Sequence, residues 1–117
     1  MLFKENRLSK KKDFDEVFKE GKGTGGKLLF LKTKENDQEK SRIGFVISAK
    51  HFKDAVLRNQ IKRRLREQVR NRISQIKTGY DIVIVAKPGL EDMGFQQLGE
   101  EVERILRKAG LYLANDD

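Results

Sequence analysis

The stretch DIVIVA, Asp81 to Ala86, constrains this chain more than any other. Side chains on a strand alternate between two faces, so a strand with one wet face alternates apolar and polar residues. After Asp81 five apolar residues follow without a break. Such a run reads as a central, buried strand, and the rest of the chain has to supply the elements that cover it.

Those elements can be read from periodicity. Ser9 to Glu20 predicts a helix, with Ser9 as N-cap, Phe14, Val17 and Phe18 on one face and Gly21 as the stop. Lys27 to Lys34 and Arg42 to Ser48 predict strands joined by the polar turn ENDQEK, and Lys22 to Thr24 a short extra one. Asp54 to Ile76 predicts a long helix capped by Asp54. Its apolar stripe is Leu57, Ile61, Leu65, Val69, Ile73 and Ile76, and Thr78-Gly79 ends it. Phe95 to Ala109 predicts the last helix. With the short strand included, the order is α-β-β-β-α-β-α, an α+β sandwich with helices packed on one sheet. A length of 117 residues suits one domain, 1–117. There is no cysteine, no apolar run near the roughly 20 residues that span a bilayer, and no secretory h-region. A soluble, cytoplasmic chain is expected.

Charge points to the partner. The formal net charge is +8, and Lys50 to Arg72 alone holds nine Lys/Arg against Asp54 and Glu67. That segment carries nearly all the excess, which suggests an anionic partner such as nucleic acid. At 100° per residue Asn59, Arg63, Arg66 and Arg70 form one stripe, with Lys62 at the edge of the apolar face and Arg64 nearly opposite. Arg offers a planar fork that suits phosphate. Arg58 lies in the first turn, where free N–H groups also favour an anion. A plain solvated face is the competing reading, with Glu67 pairing Arg63 or Arg70. Phe14 and Phe18 pose a similar choice. Two Phe four residues apart usually belong to a core, and periodicity alone favours that, yet aromatics beside a basic groove also stack unpaired bases.

No enzyme constellation is visible. His51 is the single histidine, expected at a strand end. The acids Asp13/Asp15/Glu16, Glu91/Asp92 and Glu100/Glu101/Glu103 read as solvated faces. Gly21 to Gly26 lacks the Gly-Lys-Ser/Thr of a phosphate loop. Any catalysis is expected to belong to a partner.

The segment SRIGFVISAKHFKDAVLRNQIKRRLREQVR closely resembles the signature of the protein subunit of bacterial ribonuclease P. The family pattern is a strand ending in Ser-x-Lys-Lys, a turn, then Ala-Val-x-Arg-Asn-Arg-x-Lys-Arg. RLSKKKDFDEVFKEGK is similar to the family's opening and DIVIVAKPG to its later strand. The resemblance implies a two-layer, ribosomal-protein-S5-domain-2-like sandwich, with a mixed four-stranded sheet and a left-handed βαβ crossover carrying the basic helix. It implies an accessory subunit of an endoribonuclease. The partners would be the catalytic RNA and the 5′ leader of precursor tRNA, with Mg²⁺ held mainly by the RNA and no catalytic residue in the protein. Arg58, Asn59, Gln60, Lys62, Arg63, Arg66 and Arg70 would face the RNA and the cleft. Phe14, Phe18, Phe30, Lys32, Ser48 and Lys50 would line the leader cleft, which turns the core reading of the two Phe towards a cleft floor.

Four positions depart from the pattern. Gln60 replaces the second Arg of the motif, and His51 replaces a Lys. Lys53 stands where a turn Gly is usual, so a costly positive φ is in question there. Lys32 replaces a common aromatic, so a phosphate contact would replace a stacking one. The competing functions are a ribosome-associated or RNA-chaperone protein of similar fold, a duplex-DNA reader, and a membrane-surface protein, the last disfavoured by the absence of Trp.

Overall fold

A computed structural model describes residues 4–113 of the chain. The elements are α1 (Lys11–Glu20), β1 (Lys22–Gly25), β2 (Leu29–Glu35), β3 (Arg42–Val46), α2 (Ala55–Arg72), β4 (Tyr80–Ala86) and α3 (Phe95–Lys108). They form a mixed four-stranded sheet in the order β1-β2-β4-β3. β1 with β2 and β2 with β4 are antiparallel, and β3 with β4 is parallel, joined through α2. The expected α+β order is the observed one.

The all-apolar run is interior, as expected, and the two faces of the sheet are covered unequally. Ile82, Ile84 and Ala86 join Leu29, Leu31 and Ile43 on one face, beneath Ile61, Leu65 and Val69 of α2 and Leu98, Val102, Ile105 and Leu106 of α3. This is the main core. On the other face the buried apolar cluster is Val17 of α1, Leu8 and Val83, with Phe14, Val46 and Val85 packed beside them in part. The buried cluster under α1 centres on Val83, and Val85, two residues further along β4, stays half-exposed.

Several boundaries differ from the sequence reading. α1 begins at Lys11, its cap position is Lys10 and not Ser9, and no side chain caps it. Gly21 does end α1, but with extended φ; a Cβ there would lie 2.5 Å from the Val17 carbonyl oxygen and 2.6 Å from that of Thr33. Close approach of the chain, not a left-handed turn, requires glycine at that point. β2 starts two residues later than expected, and β3 ends at Val46, so Ser48 lies beyond the strand. The long helix stops at Arg72 and tightens into one 3₁₀ turn, Ile73–Gln75, because Ile76 is drawn into a bridge with Tyr112. Asp54 caps α2 as expected, accepting the Val56 N–H at 2.8 Å. Lys53 does not need a positive φ: among the described residues the one non-glycine with positive φ is Asp37.

α2 and α3 pack closely because Gly99 has no side chain. A Cβ there would sit 2.7 Å from Gln68 Oε1 and 2.8 Å from an Arg72 guanidinium nitrogen. Glu101 corrects the expectation of a solvated acidic face. It is buried, one oxygen accepting the Leu28 N–H at 3.2 Å and the other the Arg104 guanidinium at 2.8 Å. Burying a charge this far is tolerable only because both oxygens are met.

Candidate nucleic-acid interface

The cations of α2 divide into two groups that the sequence does not distinguish. Arg58 donates to the carbonyls of Phe52 at 2.8 Å and Lys53 at 3.1 Å, stapling the turn that leads into the helix. Arg64 donates to the Met93 carbonyl. Arg72 bonds Gln68 Oε1 at 2.7 Å and faces Glu103 at 3.6 Å. These three bond within the fold, and Arg58, expected to face the RNA and the cleft, is half-buried and also holds this turn. Asn59, Gln60, Lys62, Arg63 and Arg70 are exposed, and Arg66 is half-buried beside them. Among the described residues Lys62, Arg63 and Arg66 face no carboxylate within ion-pair distance, and Arg70 meets Glu67 only at 3.7 Å, a solvated contact of little energy.

The edge of β3 joins that ridge to the other face of the sheet. Arg7 forms a parallel bridge with Ile43, and the Leu8 N–H bonds the Ile43 carbonyl at 3.0 Å, so the chain before α1 runs along the edge strand. There a cavity of about 270 Å³ is lined by Arg7, Leu8, Phe14, Gly44, Lys62 and Arg66, among others. The Phe14 ring lies directly on Gly44, where a Cβ would be 2.3 Å from Cζ. An isolated glycine within a strand pattern is the one sequence signal that could have shown this close approach.

The arrangement under α1 follows from its ion pairs. Asp13 bonds Arg42, and Glu16 and Glu20 both reach Lys34, so the acidic flank of α1 lies over the sheet row that holds Lys34, Asp81 and Arg42. Phe14 and Phe18 lie about 100–140° around the helix from Asp13. They therefore border the opposite, open row, where Val46, Val85 and Phe30 are paired across three strands and Gly25 continues the row on β1. Facing partners in register project to the same face, so this row is one half-exposed apolar floor. Phe14 is half-buried and Phe18 is 39% exposed, so Phe18 is not a core residue. Val17 takes that place.

The remaining predicted cleft residues do not all line the floor. Lys32 Nζ donates to the Gly21 carbonyl at 3.3 Å and so ties the end of α1 to β2. Ser48 Oγ accepts the Lys50 N–H at 3.1 Å, and its carbonyl accepts the N–H of Phe52 at 2.8 Å, so it shapes the turn. Lys50 and His51 are exposed on that turn.

Electrostatics behind the wall are strong. Arg42 grips Asp81 with two bonds, 2.9 Å from Nε and 2.7 Å from the guanidinium end, and also bonds Asp13 at 3.3 Å. The Asp81 hydrogen bond, opposed by burial, raises the Arg42 pKa further above its ordinary value. The hydrogen bond that the Lys34 ammonium donates to Glu20 likewise holds its pKa above the ordinary 10.5. Asp13 and Glu16, expected to be solvated, are paired, and nothing local in the sequence marks Arg7, Arg42 or Lys34, because their partners lie far along the chain. Among the described residues no three His, Cys, Asp or Glu side chains converge to hold a metal ion, and no helix is long and apolar enough to cross a membrane.

Comparison with known proteins agrees with this geometry. The family model described as Ribonuclease P matches residues 2–110. The Ribonuclease P protein component of Syntrophomonas wolfei is 36% identical over 115 residues, covering 98% of this chain and 96% of its own. That of a Pseudanabaena strain is 37% identical, covering 98% and 100%. Among solved structures, a mutant RNase P protein of Staphylococcus aureus superposes with a TM-score of 0.86 at 31% identity, covering 93% of this chain and 92% of that one. The RNase P protein of Thermotoga maritima gives 0.80 at 31%, covering 87% and 96%. A basic helix beside a half-open sheet floor, on this fold and with these relatives, places the chain in the ribonuclease P protein family, as the protein component of a tRNA-processing ribonucleoprotein.

Proposed function

We propose that this protein binds the catalytic RNA of ribonuclease P through the outward ridge of α2 and the single-stranded 5′ leader of precursor tRNA between α1 and the sheet. The observation that carries the reading is the β3 edge, where Lys62 and Arg66 from α2 share one cavity with Phe14 from α1. A single strand offers bases to aromatic faces and phosphates to cations, and the two kinds of group meet at that edge. Asn59, Arg63 and Arg70 are exposed outside that cavity and suit the structured RNA; Lys62 and Arg66 line the cavity itself. Phe14, Phe18 and Phe30 with Val46 and Val85 form the base-facing surface. Arg58, Lys32 and Ser48 act mainly by holding the turn and α1 in place.

In this reading the phosphodiester hydrolysis, in the cytoplasm, is carried out by the RNA with Mg²⁺ held mainly by the RNA. The protein contributes position and charge: it holds the leader on one side and the RNA on the other. Each phosphate neutralised on a single strand releases about 0.7 of a counterion, so leader affinity falls steeply with salt.

The test is cleavage of precursor tRNA by a bacterial ribonuclease P RNA at low Mg²⁺, with and without the protein, on leaders of one nucleotide and of several. Stimulation confined to the longer leader is expected. Tight RNA binding with no stimulation would leave a non-catalytic ribosome-associated or RNA-chaperone role instead.

A further inference from the structure

α1 is poorly anchored for a helix that walls a binding cleft. It has ten residues, no side-chain N-cap, and one fully buried side chain, Val17. Isolated helices of this length are marginal in water, and one buried Val is a small anchor. Besides the Phe14–Gly44 contact and the Lys32–Gly21 hydrogen bond, a row of ion pairs on one flank fixes the pose of α1 across the sheet. Asp13 reaches Arg42 at 3.3 Å, with only 19% and 22% of the two side chains exposed, and Arg42 is itself immobilised by two bonds to buried Asp81. Glu20 and Glu16 reach Lys34 at 3.2 and 3.6 Å. All three acids lie on the flank away from Phe14 and Phe18.

From this we infer that Asp13, together with Arg42, is a positioning residue for the leader: an electrostatic clamp on the closed side of α1 that sets how far the Phe14–Phe18 flank stands from the Phe30–Val85–Val46 floor. Asp13 is not among the residues that line the cavity at the β3 edge. Releasing it lets α1 roll about the Val17 contact, and the spacing between aromatic wall and floor is lost. Arg42 is the fixed half of the clamp, because Asp81 and Asn36 hold it and its partner to the sheet whether or not Asp13 is present. The inference rests on the leader-binding reading above.

The sign of the effect separates positioning from simple charge. Asp13→Asn removes a negative charge from an RNA-binding protein, which by bulk electrostatics strengthens RNA affinity. The clamp predicts the opposite for the leader: Asp13→Asn weakens binding of precursor tRNA with a several-nucleotide leader by about three- to ten-fold, in the range of couplings carried by residues without ligand contact. Affinity for the catalytic RNA and for a one-nucleotide leader is unchanged or slightly raised. Glu20→Gln shows the same signs with a smaller loss, because its pair is more exposed. Combined with Phe18→Ala, the Asp13→Asn loss is no longer additive, since one variant acts through the other's side chain.

The experiment measures binding of both leader lengths to the assembled ribonucleoprotein, for wild type, Asp13→Asn, Phe18→Ala and the double variant, with thermal unfolding alongside. A long-leader affinity that is unchanged or raised in Asp13→Asn, or strict additivity with Phe18→Ala, overturns the clamp. If wild type itself does not distinguish the leader lengths, the leader-binding reading fails, a different result from retention of that distinction in Asp13→Asn.

Discussion

Gly44→Ala tests the close contact on which the cleft wall rests. Gly44 is buried on β3, and an added Cβ would lie 2.3 Å from Phe14 Cζ, 2.6 Å from Cε1 and 3.1 Å from the Leu8 carbonyl oxygen. Carbon atoms attract best near 3.5–4.0 Å, so the ring has to withdraw by about 1 Å or more. It can move outward because its other side is open, but the Leu8 carbonyl is backbone and yields less. Overpacking of this kind costs about 1–3 kcal/mol, and replacing glycine returns about 0.4–1 kcal/mol through the unfolded chain. A net loss of about 1–2 kcal/mol lowers Tm by about 4–10 °C in a domain this small. The displaced ring also enters the cleft, so long-leader affinity falls while assembly with the RNA persists. Circular dichroism melts and binding of long- and short-leader precursors measure both. In a Phe14→Ala background the same substitution should cost less, because the ring clash is gone and the Leu8 carbonyl contact alone remains. An unchanged Tm and unchanged leader discrimination in Gly44→Ala would refute the packing argument.

Other outcomes follow from the same geometry. Arg66→Ala should leave the fold intact, weaken holoenzyme function and lower the salt slope by up to about 0.7 if the side chain neutralises one single-strand phosphate; an unaltered slope, assembly and leader affinity removes Arg66 from the interface. Phe18→Ala should cost less stability than Val17→Ala, which empties a fully buried site, yet cost more leader affinity; urea titrations paired with leader binding show whether the order is reversed. Glu101→Ala leaves the half-buried Leu28 N–H without its acceptor and should destabilise by about 1 kcal/mol or more without changing RNA affinity, as thermal melts and filter binding will show. The Lys40 hydrogen bond holds Glu5 below its ordinary pKa of 4.5, so this pair stabilises the fold above that pH and its contribution fades as pH falls through the lowered value; Lys40→Ala should remove that small acid-limb dependence in pH melts.

Much of this protein was legible before any coordinates. The unbroken apolar run Asp81 to Ala86 had to be an interior strand, because no alternation offered a wet face. The stripe Leu57, Ile61, Leu65, Val69 required α2 to bury one side and show the other, and the concentration of charge between Lys50 and Arg72 pointed to an anionic partner. These are local quantities, set by period and composition. Tertiary structure decided what depends on residues distant in sequence. Arg58, Arg64 and Arg72 look like Lys62, Arg63 and Arg66 along the chain, yet the first three meet carbonyls or side chains brought by other segments and the latter remain open to a ligand. Phe18 shares a helix face with Val17 by spacing alone, but a short helix crossing a wide sheet buries its centre line and leaves its flank exposed. Glu101 and Asp13 resemble ordinary surface acids until Leu28, 73 residues away, and Arg42, 29 residues away, arrive beside them. Helical period predicts which side of a helix is buried; register and close approach between elements determine which polar groups find partners and which are left for RNA.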